Sequence, residues 1–173
     1  MKVLAFGASN NKNSINQKLA HYAAKQVPNA EVTMLDIHQL EMPIFSDERE
    51  KELGQPEQAK QFFQAISDAD LIIISFAEHN GSYTAAYKNV FDWTTRIDMK
   101  VFQGKPVIML ATSPGPGGAG SVLAAASGSA PYFAADVKAS ISLPSFYDNF
   151  DMETGQVTAE EFNRQLLDTI ETL

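Results

Sequence analysis

Two stretches of this chain, "LIIISF" (71–76) and "PVIMLAT" (106–112), are apolar without alternation. A strand with one wet face alternates polar and apolar residues, whereas a strand covered by helices on both faces does not. These two therefore read as central strands of a parallel sheet. Three more strand candidates are "KVLAFG" (2–7), "EVTMLD" (31–36) and "KASISL" (138–143). Apolar residues recur at helical spacing outside them. Ile15, Leu19, Tyr22 or Ala23 and Val27 mark a first helix, and Phe62, Phe63 and Ile66 a second over 57–67. Ala86, Val90, Trp93 and Ile97 share one face of a third over 84–97, with Trp93 in the core. An alanine-rich helix is expected over 119–134, and a last one over 159–172 carries Phe162, Leu166 and Ile170. A β-α unit taken five times implies an α/β fold with a doubly wound, five-stranded parallel sheet, because right-handed crossovers leave few other packings. The expected strand order is 2-1-3-4-5. Without a repeat, linker or low-complexity break, residues 1–173 read as one domain. The polar segment 41–56, with Pro43 and Pro56, reads as an exposed excursion.

Charge narrows the partners. Thirteen Lys plus Arg against twenty-one Asp plus Glu give a formal charge of −8, which argues against a general nucleic-acid binder. Any anion site must then be a local feature rather than a field effect. No run of eighteen apolar residues is present to span a membrane. The opening "MKVLAFGAS" is too short in its apolar part for a signal peptide, so a cytoplasmic location is expected. There is no cysteine for disulfides or thiolate ligands, and no spacing among histidines and carboxylates suggests a metal site. His21 and His38 read as surface or packing residues.

In an open parallel sheet, ligands bind beyond the carboxyl ends of the strands, near the switch point in strand order. The loops after strands one, three and four are the unusual ones, and the expected order makes their strands neighbours. In the first, "GASNNKNSIN" (7–16), Ser14 is an N-cap candidate, and the free first-turn amides favour a phosphate. Ser9, Ser14 and Asn16 add side-chain donors, while Gly7 permits close backbone approach. Neither G-x-G-x-x-G nor G-x-x-x-x-G-K-[ST] occurs, which disfavours a dinucleotide-binding Rossmann site and a P-loop NTPase. In the second loop, Glu78-His79-Asn80-Gly81 ends a central strand. Asn80-Gly81 is a turn dipeptide, and the His79 ring lies flat against a planar ligand or faces solvent. In the third, "TSPGPGGAGS" (112–121), four glycines and two prolines make a stiff, bare backbone whose N–H groups can press on a ligand edge.

Together "GASNNKNSIN" (7–16), "EHNGSYTAAYKNVFDW" (78–93) and "GKPVIMLATSPGPGG" (104–118) resemble the NADPH-dependent FMN reductases. That flavodoxin-like family includes quinone, azo and chromate reductases, and the three motifs stand in its order and spacing. The resemblance implies non-covalent FMN, with Ser9, Asn10, Ser14, Ile15 and Asn16 at its phosphate. It places Glu78, His79, Asn80 and Gly81 beside the isoalloxazine and ribityl chain. Thr112, Ser113, Pro114, Gly115 and Gly118 then follow the ring's polar edge. It also implies hydride transfer from NADPH or NADH to flavin N5, then two electrons to a small acceptor in ping-pong order: a quinone, free flavin, azo compound or metal oxyanion. The flavin carries that chemistry, so no catalytic side chain is expected. A homodimer or homotetramer is implied, with Phe146, Tyr147 and Phe150 either in the contact or in the core. Departures are Asn10 where the family usually has arginine, with Lys12 nearby, and Ala77 and His79 for the usual proline and tyrosine. Thr84 and Ala85 stand where proline and glycine are frequent. The rival reading is a flavodoxin-type electron carrier, which binds FMN without turnover of its own. A receiver-type signalling domain is disfavoured, because Gly-Ala-Ser and Glu-His-Asn stand where its aspartates belong.

Overall fold

The continuously apolar runs become the middle of a sheet, as their composition requires. In the computed structural model, which describes Met1–Leu173, five strands form it. They are β1 (Lys2–Ala8), β2 (Glu31–Met34), β3 (Leu71–Phe76), β6 (Pro106–Thr112) and β7 (Asp136–Leu143). Two-residue strands β4 (Glu78–His79) and β5 (Ser82–Tyr83) form a small hairpin, and β8 (Phe150–Asp151) and β9 (Gln156–Val157) another. The main sheet is parallel throughout in the order β2-β1-β3-β6-β7, which is the expected 2-1-3-4-5.

Helices cover both faces. They are α1 (Ile15–Lys25), α2 (Asp47–Leu53), α3 (Glu57–Asp68), α4 (Ala85–Thr94), α5 (Gly120–Ser129), α6 (Phe146–Asn149) and α7 (Glu160–Ile170). Leu4, Phe6, Ile72, Ile74 and Met109 pack on one side with Phe62, Trp93 and Val122 from α3, α4 and α5. Val3, Ala5, Ile73, Ile108 and Leu110 pack on the other with Leu19, Phe162 and Leu166 from α1 and α7. All six residues of β3 are buried, so the lack of alternation reflects two cores back to back.

Two expectations change, and for Phe146 and Phe150 the structure selects the core alternative. Segment 41–56 is no simple excursion: Met42 is buried, and the Asn89 amide donates to the carbonyls of Met42 and Pro43. The Trp93 indole N–H donates to Pro43 O at 2.7 Å, and the Phe45 ring meets Trp93 edge-on at 5.1 Å. Only its second half, α2, buries nothing, which is why no apolar period announced it. The fourth helix ends at Ser129 and passes into a 3₁₀ turn at Ala130–Phe133, with Pro131 at its start. Phe146 and Phe150 are core, stacked at 4.6 Å, and only Tyr147 is exposed. The first two are thus unavailable to a subunit contact.

Candidate functional site

The first loop is shaped by the start of α1. Ser14 caps the helix, its Oγ accepting from the Gln17 N–H at 3.2 Å. The N–H groups of Ile15 and Asn16 have no acceptor within the chain. Ser9 and Ser14 are buried beside them, while Asn10 and Lys12 are exposed. The Ser14 oxygen serves the cap, which leaves its O–H to donate. Gly7 has a different use from the expected one. A Cβ there would meet Gln17 N at 2.5 Å, so it permits strand and helix backbones to touch rather than a ligand to approach.

Asn16 also departs from expectation. It is 2% exposed and turned inward. Its Oδ1 accepts from Ser75 Oγ at 2.7 Å and from the Thr112 N–H at 3.1 Å, while its Nδ2 donates to Thr112 O at 3.1 Å. The side chain therefore joins α1, β3 and the end of β6, and only its main-chain N–H is left without a partner in the chain. Ser75 was not singled out in the sequence. A lone hydroxyl inside "LIIISF" was the signal, because a buried polar group demands a partner.

The second loop is the β4–β5 hairpin. Asn80 and Gly81 take φ of 53° and 77°, as a two-residue hairpin turn with both central residues left-handed requires. His79, Asn80 and Gly81 are exposed at its tip and Glu78 is half-buried at its base. Thr84 closes the hairpin as the N-cap of α4: its Oγ1 accepts from Tyr87 N–H and donates to Ala8 O at 2.9 Å. That role explains a threonine at this position.

The third loop is held from behind. Thr112 Oγ1 donates to Leu143 O at 2.6 Å, and Ser142 Oγ donates to Gly118 O at 2.7 Å. The N–H groups of Ser145 and Phe146 donate to the carbonyls of Gly115 and Ser113. Gly118, at φ 57°, lies against Ser142 and Pro144 and leaves no space for a side chain. Positions 115 and 117 face open space, and the N–H groups of Ser113, Gly115 and Gly117 have no acceptor within the chain. Residues 142–146 were missed as part of the site because their contribution is backing, not contact.

Three turns thus converge at the carboxyl ends of β1, β3 and β6, linked by Asn16, by Thr84 and by Glu78, whose Oε2 accepts from the Val122 N–H at 2.8 Å. They offer main-chain donors at two places and no buried charge, an arrangement suited to a phosphate plus a planar polar edge. An extended, phosphorylated, uncharged-ring ligand fits these donors; a metal ion does not, and no group of three or more His, Asp or Glu is placed to hold one. A cleft of about 780 Å³ lies at the opposite end of the sheet, lined by Lys2, Glu31, Glu57, Lys60 and Asp68. Its mixed charges offer no comparable set of donors. No helix is long and apolar enough to cross a membrane.

A five-stranded parallel sheet in this order, with helices on both faces, defines a flavodoxin-like protein. Residues 1–146 match the family described as NADPH-dependent FMN reductase, and the chain belongs to it. It is 33% identical over 117 residues to 2-hydroxy-1,4-benzoquinone reductase of a Burkholderia species, covering 66% of this chain and 62% of that protein. It is 30% identical over 120 residues to quinone reductase of Escherichia coli K12, covering 66% and 61%. The chain thus spans about three fifths of those two relatives, at 62% and 61%. Among solved structures it resembles the flavoenzyme NAD(P)H:(acceptor) oxidoreductase FerB from Paracoccus denitrificans, with a TM-score of 0.75 and 25% identity. That likeness covers 99% of this chain and 93% of FerB.

Proposed function

We propose that residues 1–173 form one FMN-binding domain of an NAD(P)H-dependent oxidoreductase, of the FMN and quinone reductase type. The observation that carries the reading is the set of unpartnered main-chain N–H groups at two of three cross-linked turns. Those of Ile15 and Asn16, with the hydroxyls of Ser9 and Ser14, bind the FMN phosphate; Asn10 lies at the rim, and Lys12 supplies a point charge. The hairpin at Glu78, His79, Asn80 and Gly81 flanks the ring and ribityl chain. The segment from Thr112 through Ser113, Pro114 and Gly115 to Gly118 offers N–H groups to the ring's polar edge, where they stabilise negative charge. Bound FMN supplies hydride acceptance from NAD(P)H and two-electron delivery to a small acceptor, taken in ping-pong order. The protein binds, orients and polarises; no side chain is asked for a proton.

Quinone reductases among the relatives favour a quinone as acceptor. We further propose a homodimer or homotetramer. An apolar cavity of about 400 Å³ lies between α4 and α5, with Met99 at its edge 58% exposed and Tyr132 close by 83% exposed. Light scattering on the purified chain should give a mass twice or four times 18.9 kDa, and a monomer refutes this part.

The deciding experiment adds FMN to purified protein and then NADPH without oxygen. Saturable binding and a raised thermal midpoint are expected, followed by rapid loss of the flavin's blue absorbance. No binding ends the reading. Binding with no bleaching by either nicotinamide identifies an electron carrier.

A further inference from the structure

Helix α5 begins without a cap of its own. Ala119, at φ 58°, holds the N-cap position and has no side chain to accept from the first turn. The acceptor arrives from 44 residues earlier: Glu78 Oε2 takes the Val122 N–H at 2.8 Å. Glu78 stands at the base of the β4–β5 hairpin, and β5 packs on α5. One carboxylate thus joins two of the three turns, and it lies at the positive end of a ten-residue helix.

We infer that Glu78 is a positioning residue that sets both the spacing of these turns and the reduction potential of bound FMN. The inference rests on the FMN reading above. As a strut, Glu78 fixes the start of α5 and, through Ala119, the adjoining Gly118. Ser142 Oγ holds that same point from the other side by donating to Gly118 O at 2.7 Å. As a charge, Glu78 puts a fixed negative group between two turns proposed to flank the ring. It also offsets the helix's positive end, so it opposes the added electrons. Glu78 then acts on the ring's surroundings through the Val122 N–H that it holds.

Two substitutions separate the roles. Glu78→Gln keeps an acceptor oxygen for the Val122 N–H and removes the charge. Glu78→Ala removes both. Oxidised and reduced FMN are titrated into wild type and both variants, and the potential of bound FMN is measured against reference dyes. Hydrogen exchange at Val122 is followed in the protein without FMN. E78Q should keep oxidised-FMN affinity within about twofold, while the ratio of reduced to oxidised affinity rises about tenfold, ~30 mV for a two-electron couple. E78A should lose about tenfold in oxidised-FMN affinity and exchange Val122 faster. An unchanged E78Q potential, or E78A binding like wild type, overturns the inference alone. A wild type that binds no FMN overturns it together with the functional reading.

Discussion

Asn16 shows how one side chain holds three elements in place. Its amide satisfies Ser75 Oγ and both main-chain groups of Thr112 in a site with almost no solvent. Asn16→Ala would strand all three partners, and at one to three kcal/mol for an orphaned buried group the loss should total about 3 kcal/mol or more. Urea unfolding of the FMN-free protein measures it, and a loss under ~1 kcal/mol would show the three contacts to be dispensable. Sequence reading gave the Asn16 side chain to the phosphate, whereas the structure turns it inward to Ser75 and Thr112. An asparagine's direction depends on what lies behind it, and Ser75 and Thr112 are 59 and 96 residues away.

At the level of elements, the first turn of α1 joins folding to binding. Ser14 Oγ takes the Gln17 N–H, and the neighbouring N–H groups of Ile15 and Asn16 stay open. Ser14→Ala should cost about 1 kcal/mol of stability through the lost cap. It should also cut FMN affinity roughly tenfold through a lost hydrogen bond to charge. Calorimetric titration separates the two, and an unchanged affinity would remove Ser14 from the phosphate site. The two central strands, β3 and β6, were legible because burial on two faces writes an unbroken apolar run, and the strand order followed from the repeated β-α unit. α2 was not, since Asp47–Leu53 buries no residue and leaves no period to read. The β4–β5 hairpin was visible only as its Asn80-Gly81 turn, because two residues per strand are too few for alternation. Residues 142–146 run from the end of β7 into the start of α6, and only the fold brings them behind Ser113, Gly115 and Gly118.

Across the whole molecule, buried tyrosines set the alkaline limit. Burial raises the hydroxyls of Tyr22 and Tyr87 above the ordinary tyrosine range, and the nearby Tyr83 adds to the effect at Tyr87. The folded chain therefore holds these protons more tightly than the unfolded chain does. Their stabilisation is complete below about pH 10, where unfolded tyrosines ionise, and declines as pH rises further. For Tyr87 the slope should approach ~1.4 kcal/mol per pH unit. Tyr87→Phe should flatten the fall by that amount, while changing neutral-pH stability little because the ring keeps its packing beside the cavity between α4 and α5. Denaturant midpoints taken from roughly pH 9 to 12 test this, and identical slopes in both proteins would refute it.

The amides of Ile15 and Asn16 belong to the peptide chain itself, which no side-chain exchange deletes. On the proposed reading, an alanine scan across residues 7–16 reports side-chain losses such as those at Ser14 and Asn16 and leaves unread the share that these two amides carry. Removing that share requires moving the backbone, so related sequences can vary in side chain here and keep the same pair of main-chain donors.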